Sequence, residues 1–335
     1  ADHYYKDDLR VIVATPTNVI AQSWKDDMAK FNLAHLQSHF SYTTYLSLDK
    51  QDLDADILIL DEVHSLLYSH NEWLSQFKGR IVGLTGSPPL YETSEKAIMI
   101  KRYCPIVYTY LVDEAIQDGI LNDYKILVHE LELCKIKNMV ISKPGKGTWT
   151  TSEVASYEYW SKRLEEAERA KEIEIARIMR MKALMGFPSK EHYAKKLMNS
   201  ITEKVLVFAN TQKQADSICK QSYHSKNSRS EQNLEDFKTG KIKKMSCVLQ
   251  LNEGANIPEL REAIILHSYG NNTKTTQRLG RELRLDPGDT ATIHILMYKD
   301  TQDEQWVKSA LRKFDQSKIT YLRLENAITE HKFGL

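Results

Sequence analysis

The stretch ADILILDEVH, residues 55–64, decides the fold. Ile57 to Leu60 form an unbroken apolar run that leads into two adjacent acids, Asp61 and Glu62. Such a run marks a strand covered on both faces, as strands are in a parallel sheet sandwiched between helices. Ligands of such sheets collect at the carboxyl ends of the strands, where the two acids fall. A carboxylate there can hold Mg2+ through its water shell, and its neighbour can orient and deprotonate a water attacking a phosphate. Taken alone, the same letters also describe a strand ending in an acidic turn.

Working outward, LRVIVATP (9–16), the helical and polar NVIAQSWKDDMAKF (18–31) and GRIVGLTGS (79–87) repeat the alternation of an α/β domain. A second series follows: KVLVFANT (204–211), KMSCVLQLNEG (244–254), REAIILHSYG (261–270) and TATIHILMY (290–298). Between the two series, Thr151 to Met185 lacks Pro and Gly and reads as a helix beginning at Ser152 and Glu153. Gly186 and Pro188 stop it, and a further helix is expected over His192 to Ser200. KPGKG (143–147) is the most loop-like stretch and is taken as the hinge side of this insertion. The expected organisation is a first lobe over 1–112, a connecting strand and helical insertion over 113–200, a second lobe over 201–315 and a C-terminal tail from 316.

Composition sets the class. The chain has 335 residues, 41% hydrophobic and 27% charged, with a net charge of +1, enough for about two domains. Thirteen Gly and eight Pro exclude collagen-like and low-complexity chains. No apolar run approaches the ~20 residues a bilayer demands. Cys104, Cys134, Cys219 and Cys247 fit neither a zinc nor a disulfide pattern, and ADHYYKDDLR at the start is unlike a signal peptide, which points to a reducing cytoplasm. A net charge near zero gives no global pull toward nucleic acid and leaves room for a local basic surface.

TTQRLGRELR (275–284) spaces Arg278, Arg281 and Arg284 three apart on one helix face. Guanidinium groups so placed can spread the charge that develops on a transferred phosphate, an effect worth ~10³ to 10⁵ in rate. A solvated basic face paired with Glu282 is the plainer reading, and Gly280 weakens it: a glycine inside a helix costs about 1 kcal/mol relative to Ala.

With these residues in view, the chain resembles the superfamily 2 helicases and translocases over nearly its whole length. ATPTNVIAQSW (14–24) looks like motif Ia and TTYLSL (43–48) like the nucleic-acid-contacting segment after it. DEVH (61–64) resembles motif II, LTGSPP (84–89) motif III, VFANTQKQAD (207–216) motif IV, LNEGANIPEL (251–260) motif V and QRLGRELR (277–284) motif VI. The resemblance implies an α/β fold of two RecA-like lobes with parallel sheets and a helical insertion between them. It implies ATP and Mg2+ as cofactors, with Asp61 holding Mg2+ through water and Glu62 as catalytic base. His64, Thr85 and Ser87 match positions linking the nucleotide to the second lobe. Arg281 and Arg284 match the arginines facing the γ-phosphate, and Gln277 and Arg278 match coupling positions. Gly254 and Asn256 fall where motif V meets nucleotide and nucleic-acid backbone. Pro16, Thr17, Thr43 and Asn210 match positions approaching the phosphates of a bound strand, contacts blind to sequence.

One departure stands out. The family carries a Gly-x-x-x-x-Gly-Lys-Ser/Thr loop whose backbone N–H groups and Lys cradle the phosphates, and these 335 residues contain none: KPGKGT (143–148) and KTGKIKK (238–244) lack its spacing. In the family the loop precedes motif Ia together with a central strand of the first sheet, so an N-terminal segment carrying both is expected upstream. DEVH, LTGSPP, GANIPEL, QRLGRELR and DEAIQDGILNDYKI (113–126) are most similar in wording to XPB-like, UvsW-like and restriction-subunit translocases, which implies DNA, single-stranded, duplex or branched, as partner, replication or recombination proteins as further partners, and a setting in phage or bacterial replication, repair or recombination. The alternatives are an ATPase-inactive, helicase-like DNA-binding module and the motor subunit of a restriction system. The insertion is either a wedge or clamp on DNA or a strut packed on the second lobe.

Overall fold

The computed structural model describes residues 9–86, 93–119, 122–143, 147–248, 257–268, 289–312 and 314–323. Ser87, Gly254, Asn256, Gln277, Arg278, Arg281 and Arg284 lie outside the described residues. The chain divides between Leu111 and Val112 into two compact units.

In the first unit the strands are β1 (Val11–Thr15), β2 (Phe40–Thr44), β3 (Ile57–Asp61) and β4 (Arg80–Leu84), with helices α1 (Asn18–Lys30), α2 (Asn71–Gln76) and α3 (Glu95–Tyr103). They form a parallel sheet in the order β2-β1-β3-β4. The apolar runs sort by parity, as a two-residue strand repeat demands. Ile12, Ala14, Leu58 and Leu60 face a core with Tyr45, Leu48, Trp73, Leu74 and Ile100, whereas Val11 and Val13 face the opposite side with Trp24, Phe40, Tyr42, Ile57 and Ile59. Thr17 caps α1 by accepting from the Ile20 N–H, and Asn32, with φ of 60°, turns the chain out of it.

The second unit holds α4 (Val112–Gln117), β5 (Asp123–Leu131), the antiparallel pair β6 (Met139–Lys143) and β7 (Gly147–Thr151), then α5 (Glu153–Glu165), α6 (Ala170–Gly186) and α7 (Pro188–Ser200). It continues with β8 (Val205–Ala209), α8 (Gln212–Ile218), β9 (Ser222–Tyr223), α9 (Ser230–Lys238), β10 (Lys244–Val248), β11 (Glu262–Ile265), β12 (Thr290–Tyr298), α10 (Gln302–Leu311) and β13 (Ile319–Arg323). Seven strands pair in parallel in the order β13-β5-β12-β11-β8-β10-β9. The strand over 123–131, open to either lobe from sequence, is an interior strand of this sheet with Tyr124, Ile126, Val128 and Leu131 buried. The expected tail from residue 316 instead opens with β13, which pairs with β5.

The helical stretch also differs: residues 153–186 hold two packed helices, α5 and α6. Lys162 and Arg163 close α5 and Glu172 opens α6, the charge order that two helix ends favour. Leu184, Phe187, Ala194 and Met198 join Val205, Val207 and Ile264 in one core, so the end of α6 and α7 form a strut against the second sheet. Polar groups lock it. Glu153, with no exposed surface, accepts from Cys134 N, Asn138 Nδ2, Ser189 N and Ser189 Oγ at 2.6–3.0 Å. The buried Lys190 Nζ donates to Asp303 Oδ2 at 2.5 Å, and Tyr298 OH accepts from Lys190 N at 3.1 Å.

A second buried chain crosses the same sheet. His129 Nδ1 meets Tyr193 OH at 2.9 Å, His129 Nε2 meets His294 Nδ1 at 2.9 Å, and His294 Nε2 meets Glu262 Oε2 at 2.8 Å. Burial, reinforced by His294, lowers the His129 pKa from 6.5 to about 4. The unfolded chain therefore takes up the proton first, and the stability present above pH 6.5 is lost as pH falls toward 4. The urea midpoint should drop over that interval, and a His129→Gln variant should show a shallower drop.

Candidate functional site

The site grows from the carboxyl end of β3. Asp61 Oδ2 accepts from Trp24 Nε1 at 2.8 Å, Oδ1 accepts from Glu62 N at 2.9 Å, and the Asp61 carbonyl accepts from Tyr45 OH at 2.8 Å. Trp24 comes from α1 and Tyr45 follows β2, so both neighbouring elements hold the acid in place. Burial pushes the Asp61 pKa up, the Trp24 bond opposes this, and the Glu62 charge adds to it. Among the described residues no Lys or Arg forms an ion pair with Asp61.

Glu62 adopts the left-handed conformation, φ 49° and ψ 53°. For a residue with a Cβ this costs roughly 1–2 kcal/mol, strain of a kind that gathers at functional sites. The bend sends the chain through Val63 to His64, whose Nδ1 lies 2.9 Å from Thr85 Oγ1 and 3.2 Å from Glu62 Oε2. Thr85 follows β4, so one imidazole joins the strand end bearing the acids to the loop after the next strand. The structure thus brings together Asp61, Glu62, His64 and Thr85, four of the residues picked from sequence.

A bare patch borders this array. Val82 pairs with Ile59 and Leu84 with Asp61, so both lie on the sheet face to which Trp24 reaches Asp61. They are 44% and 43% exposed, although a parallel sheet is normally covered on both faces. Among the described residues β4 is also the edge of its sheet. Gly83 between them is fixed by packing, since a Cβ there would stand 2.7 Å from Cys104 Sγ.

Mg2+ fits Asp61: hard cations take oxygen ligands, and this carboxylate keeps lone pairs beyond its two accepted bonds. Among the described residues no group of three or more His, Cys, Asp or Glu is arranged to hold a metal. A cation at Asp61 would complete its shell with water and phosphate oxygens.

Pro16 and Thr17 form the turn from β1 into α1, where free N–H groups of the first helical turn suit an anion. Thr43 is buried, and its hydroxyl donates within its own turn to Thr44 O and Ser47 O, each at 3.4 Å. In the second unit Asn210 follows β8; its backbone N–H donates to Gln214 Oε1, and its Nδ2 is buried with no hydrogen-bond partner among the described residues. Ser268, just past β11, is fully buried with its hydroxyl in the same condition. Since β8 and β11 are neighbours, these two polar groups mark the carboxyl edge of the second sheet, where ligands of α/β sheets sit. Sequence reading missed Trp24, Tyr45 and Ser268, and only the strand-end position of Ser268 could have flagged it.

Residues 189–286 match the family described as helicase conserved C-terminal domain. Among curated proteins, none matches the chain by sequence. Among solved structures, similar folds include the type ISP restriction-modification enzyme LlaBIII bound to DNA, at 12% identity and TM-score 0.57, covering 96% of this chain and 28% of that one. A fragment of a putative HsdR subunit of a type I restriction enzyme from Vibrio vulnificus YJ016 gives 16% and 0.58, covering 94% and 57%. Dbp5 of S. cerevisiae, bound to RNA and ADP BeF3, gives 11% and 0.54, covering 94% and 78%. The chain spans about a quarter of LlaBIII and somewhat over half of the HsdR fragment. Among the described residues no helix is long and apolar enough to cross a membrane. Residues 189–286 thus carry a helicase C-terminal domain, and the parallel-sheet units of the chain fold like those of these proteins.

Proposed function

We propose that the chain is the core of an ATP-dependent DNA helicase or translocase of phage or bacterial replication, repair or recombination. The observation that carries this reading is the array at the end of β3. An acid suited to Mg2+, a second acid in a strained turn and a histidine joined to the next strand's loop are assembled within hydrogen-bonding reach. When bound, Mg2+ with ATP supplies a polarised phosphate. Glu62 then orients and deprotonates the attacking water, Trp24 and Tyr45 hold Asp61 against rotation, and His64 passes the state of Glu62 to Thr85. Arg281 and Arg284 neutralise the charge that develops on the transferred phosphate.

The reading requires a phosphate cradle that these 335 residues do not contain. The bare face beside Asp61 and the edge of β4 offer the place for it: a strand paired with β4 would lead a glycine-rich loop past Asp61, and the following helix would cover Val82 and Leu84. DNA as partner rests on the wording of motifs II, III, V and VI. Competition of duplex DNA against RNA of equal length tests it. Preference for DNA, with affinity falling steeply as salt rises, is the expected result, and equal or tighter RNA binding would overturn the DNA assignment.

A further inference from the structure

We propose that the cleft between α10 and β13 binds a nucleoside phosphate, at a site in the second unit distinct from the Asp61 array of the first. The cleft has a volume of about 580 Å³ and is lined by Glu130 of β5, Lys308 and Arg312 on and just after α10, Gln316 before β13 and Tyr321 within it. Small-molecule sites run from ~300 to 1,000 Å³, so one nucleotide fits. The strand register sets its floor. Tyr321 pairs with Val128 and Arg323 with Glu130, and paired residues of parallel strands share a face. Val128 is fully buried, whereas Tyr321, on the outermost strand among the described residues, keeps 41% of its surface exposed. Across from it α10 buries Val307, Ala310 and Leu311, which turns Lys308 and Arg312, four residues apart, to the rim.

The charges select an anion. Four cations, Lys299, Lys308, Arg312 and Arg323, stand in or beside the cleft with two acids, Glu130 and Glu304. Both acids are already met: Glu130 Oε2 lies 3.7 Å from Lys299 Nζ and 3.6 Å from Arg323 Nε, and Glu304 Oε1 lies 2.6 Å from Lys308 Nζ. Arg312 is exposed and forms no ion pair among the described residues. A guanidinium so placed matches phosphate oxygens in a two-pronged bond. The remaining walls suit a base. The ring of Tyr321 gives a flat face for stacking that tolerates any base. Gln316 Nε2 donates to Leu311 O at 3.0 Å and Phe314 O at 2.7 Å, which fixes the amide and leaves Oε1 to accept from a base N–H. The same bonds occupy the Leu311 carbonyl at the end of α10, so Arg312 is not needed to cap it. Burial pushes the Tyr321 pKa up, against the pull of Lys308, and the phenol stays a donor.

The test is binding of mant-AMP, a ribose-labelled fluorescent nucleotide, to the full chain. Arg312→Ala should weaken it by about tenfold or more, the loss expected for a charge-assisted bond to phosphate, and Arg312→Glu should weaken it further. Tyr321→Ala should cost about tenfold, while Tyr321→Phe, which keeps the stacking ring, should bind within a few-fold of the parent. The Arg312 variants change an exposed side chain and carry the test if Tyr321→Ala unfolds. A fluorescein-labelled oligo-dA 20-mer separates the two sources of such a ligand. Strand binding that AMP competes away and Arg312→Glu weakens identifies a nucleotide of a nucleic-acid strand; strand binding that neither changes, beside lost mant-AMP binding, identifies a free nucleotide. A parent that binds neither probe, or Arg312 variants that bind both as tightly as the parent, overturns the proposal. ATP turnover by the same proteins keeps the two readings apart. Turnover without binding at the cleft removes the cleft alone, and binding that Arg312→Glu abolishes in a protein without turnover removes the motor alone.

Discussion

Glu62→Gln is expected to lower ATP turnover by about a thousandfold or more while nucleotide affinity stays within a few-fold of the parent. The substitution keeps the length and the left-handed turn of Glu62 and removes only the basic oxygen. Gln can still meet His64 Nδ1, which stands 3.2 Å from Glu62 Oε2, so the link to Thr85 survives and the loss reports proton transfer alone. Asp61 is untouched, and with it the acid assigned to the cation. If turnover persists in Glu62→Gln, the base lies elsewhere. Arg281→Ala is the companion change from the other motif, with a loss of similar size expected for the role that the resemblance to motif VI assigns to it.

The second large effect concerns stability. Lys190→Met is expected to cost about 3–5 kcal/mol, because it leaves the buried carboxylate of Asp303 without its cation. Met keeps the aliphatic volume beside Tyr298, whose ring lies 4.6 Å from Lys190 Nζ, so the loss is that of a charge and not of packing. Asp303 would retain one bond, from Tyr298 N at 2.8 Å. Adding Asp303→Asn should recover part of the loss, since it removes the stranded charge. Burial already lowers the Lys190 pKa against the pull of Asp303. Urea unfolding of the single and double variants measures the coupling, and two losses that simply add would remove the ion pair as the cause.

The strands were legible because burial on both faces leaves nothing for evolution to alternate: ILIL and VLVF read as core in any context. Asp61, Glu62 and His64 were legible through the order of motifs around them, since the strand end alone also reads as an acidic turn. What escaped was set by contacts across the chain. Trp24 stands 37 residues from Asp61, and nothing near it in sequence marks it as the partner of a strand-end acid. Glu153 reads as an ordinary acid in the first turn of a helix, and its burial depends on Ser189, 36 residues away. The parting of α5 from α6 shows no Gly or Pro, and only the order of Lys162, Arg163 and Glu172 betrays two helix ends. The lobe of β5 stayed open and β13 was read as tail because sheet order follows pairing between residues nearly two hundred positions apart, as with Ile126 and Ile319. The role of Thr43 was read from its position in a motif, whereas its buried side chain serves the turn after β2.

The most direct measurement is ATP hydrolysis by the full protein, with and without duplex DNA. Hydrolysis stimulated tenfold or more by DNA and lost in Glu62→Gln is the predicted result. A folded protein that binds DNA and turns over no ATP would contradict the motor and leave a helicase-like binding module in its place.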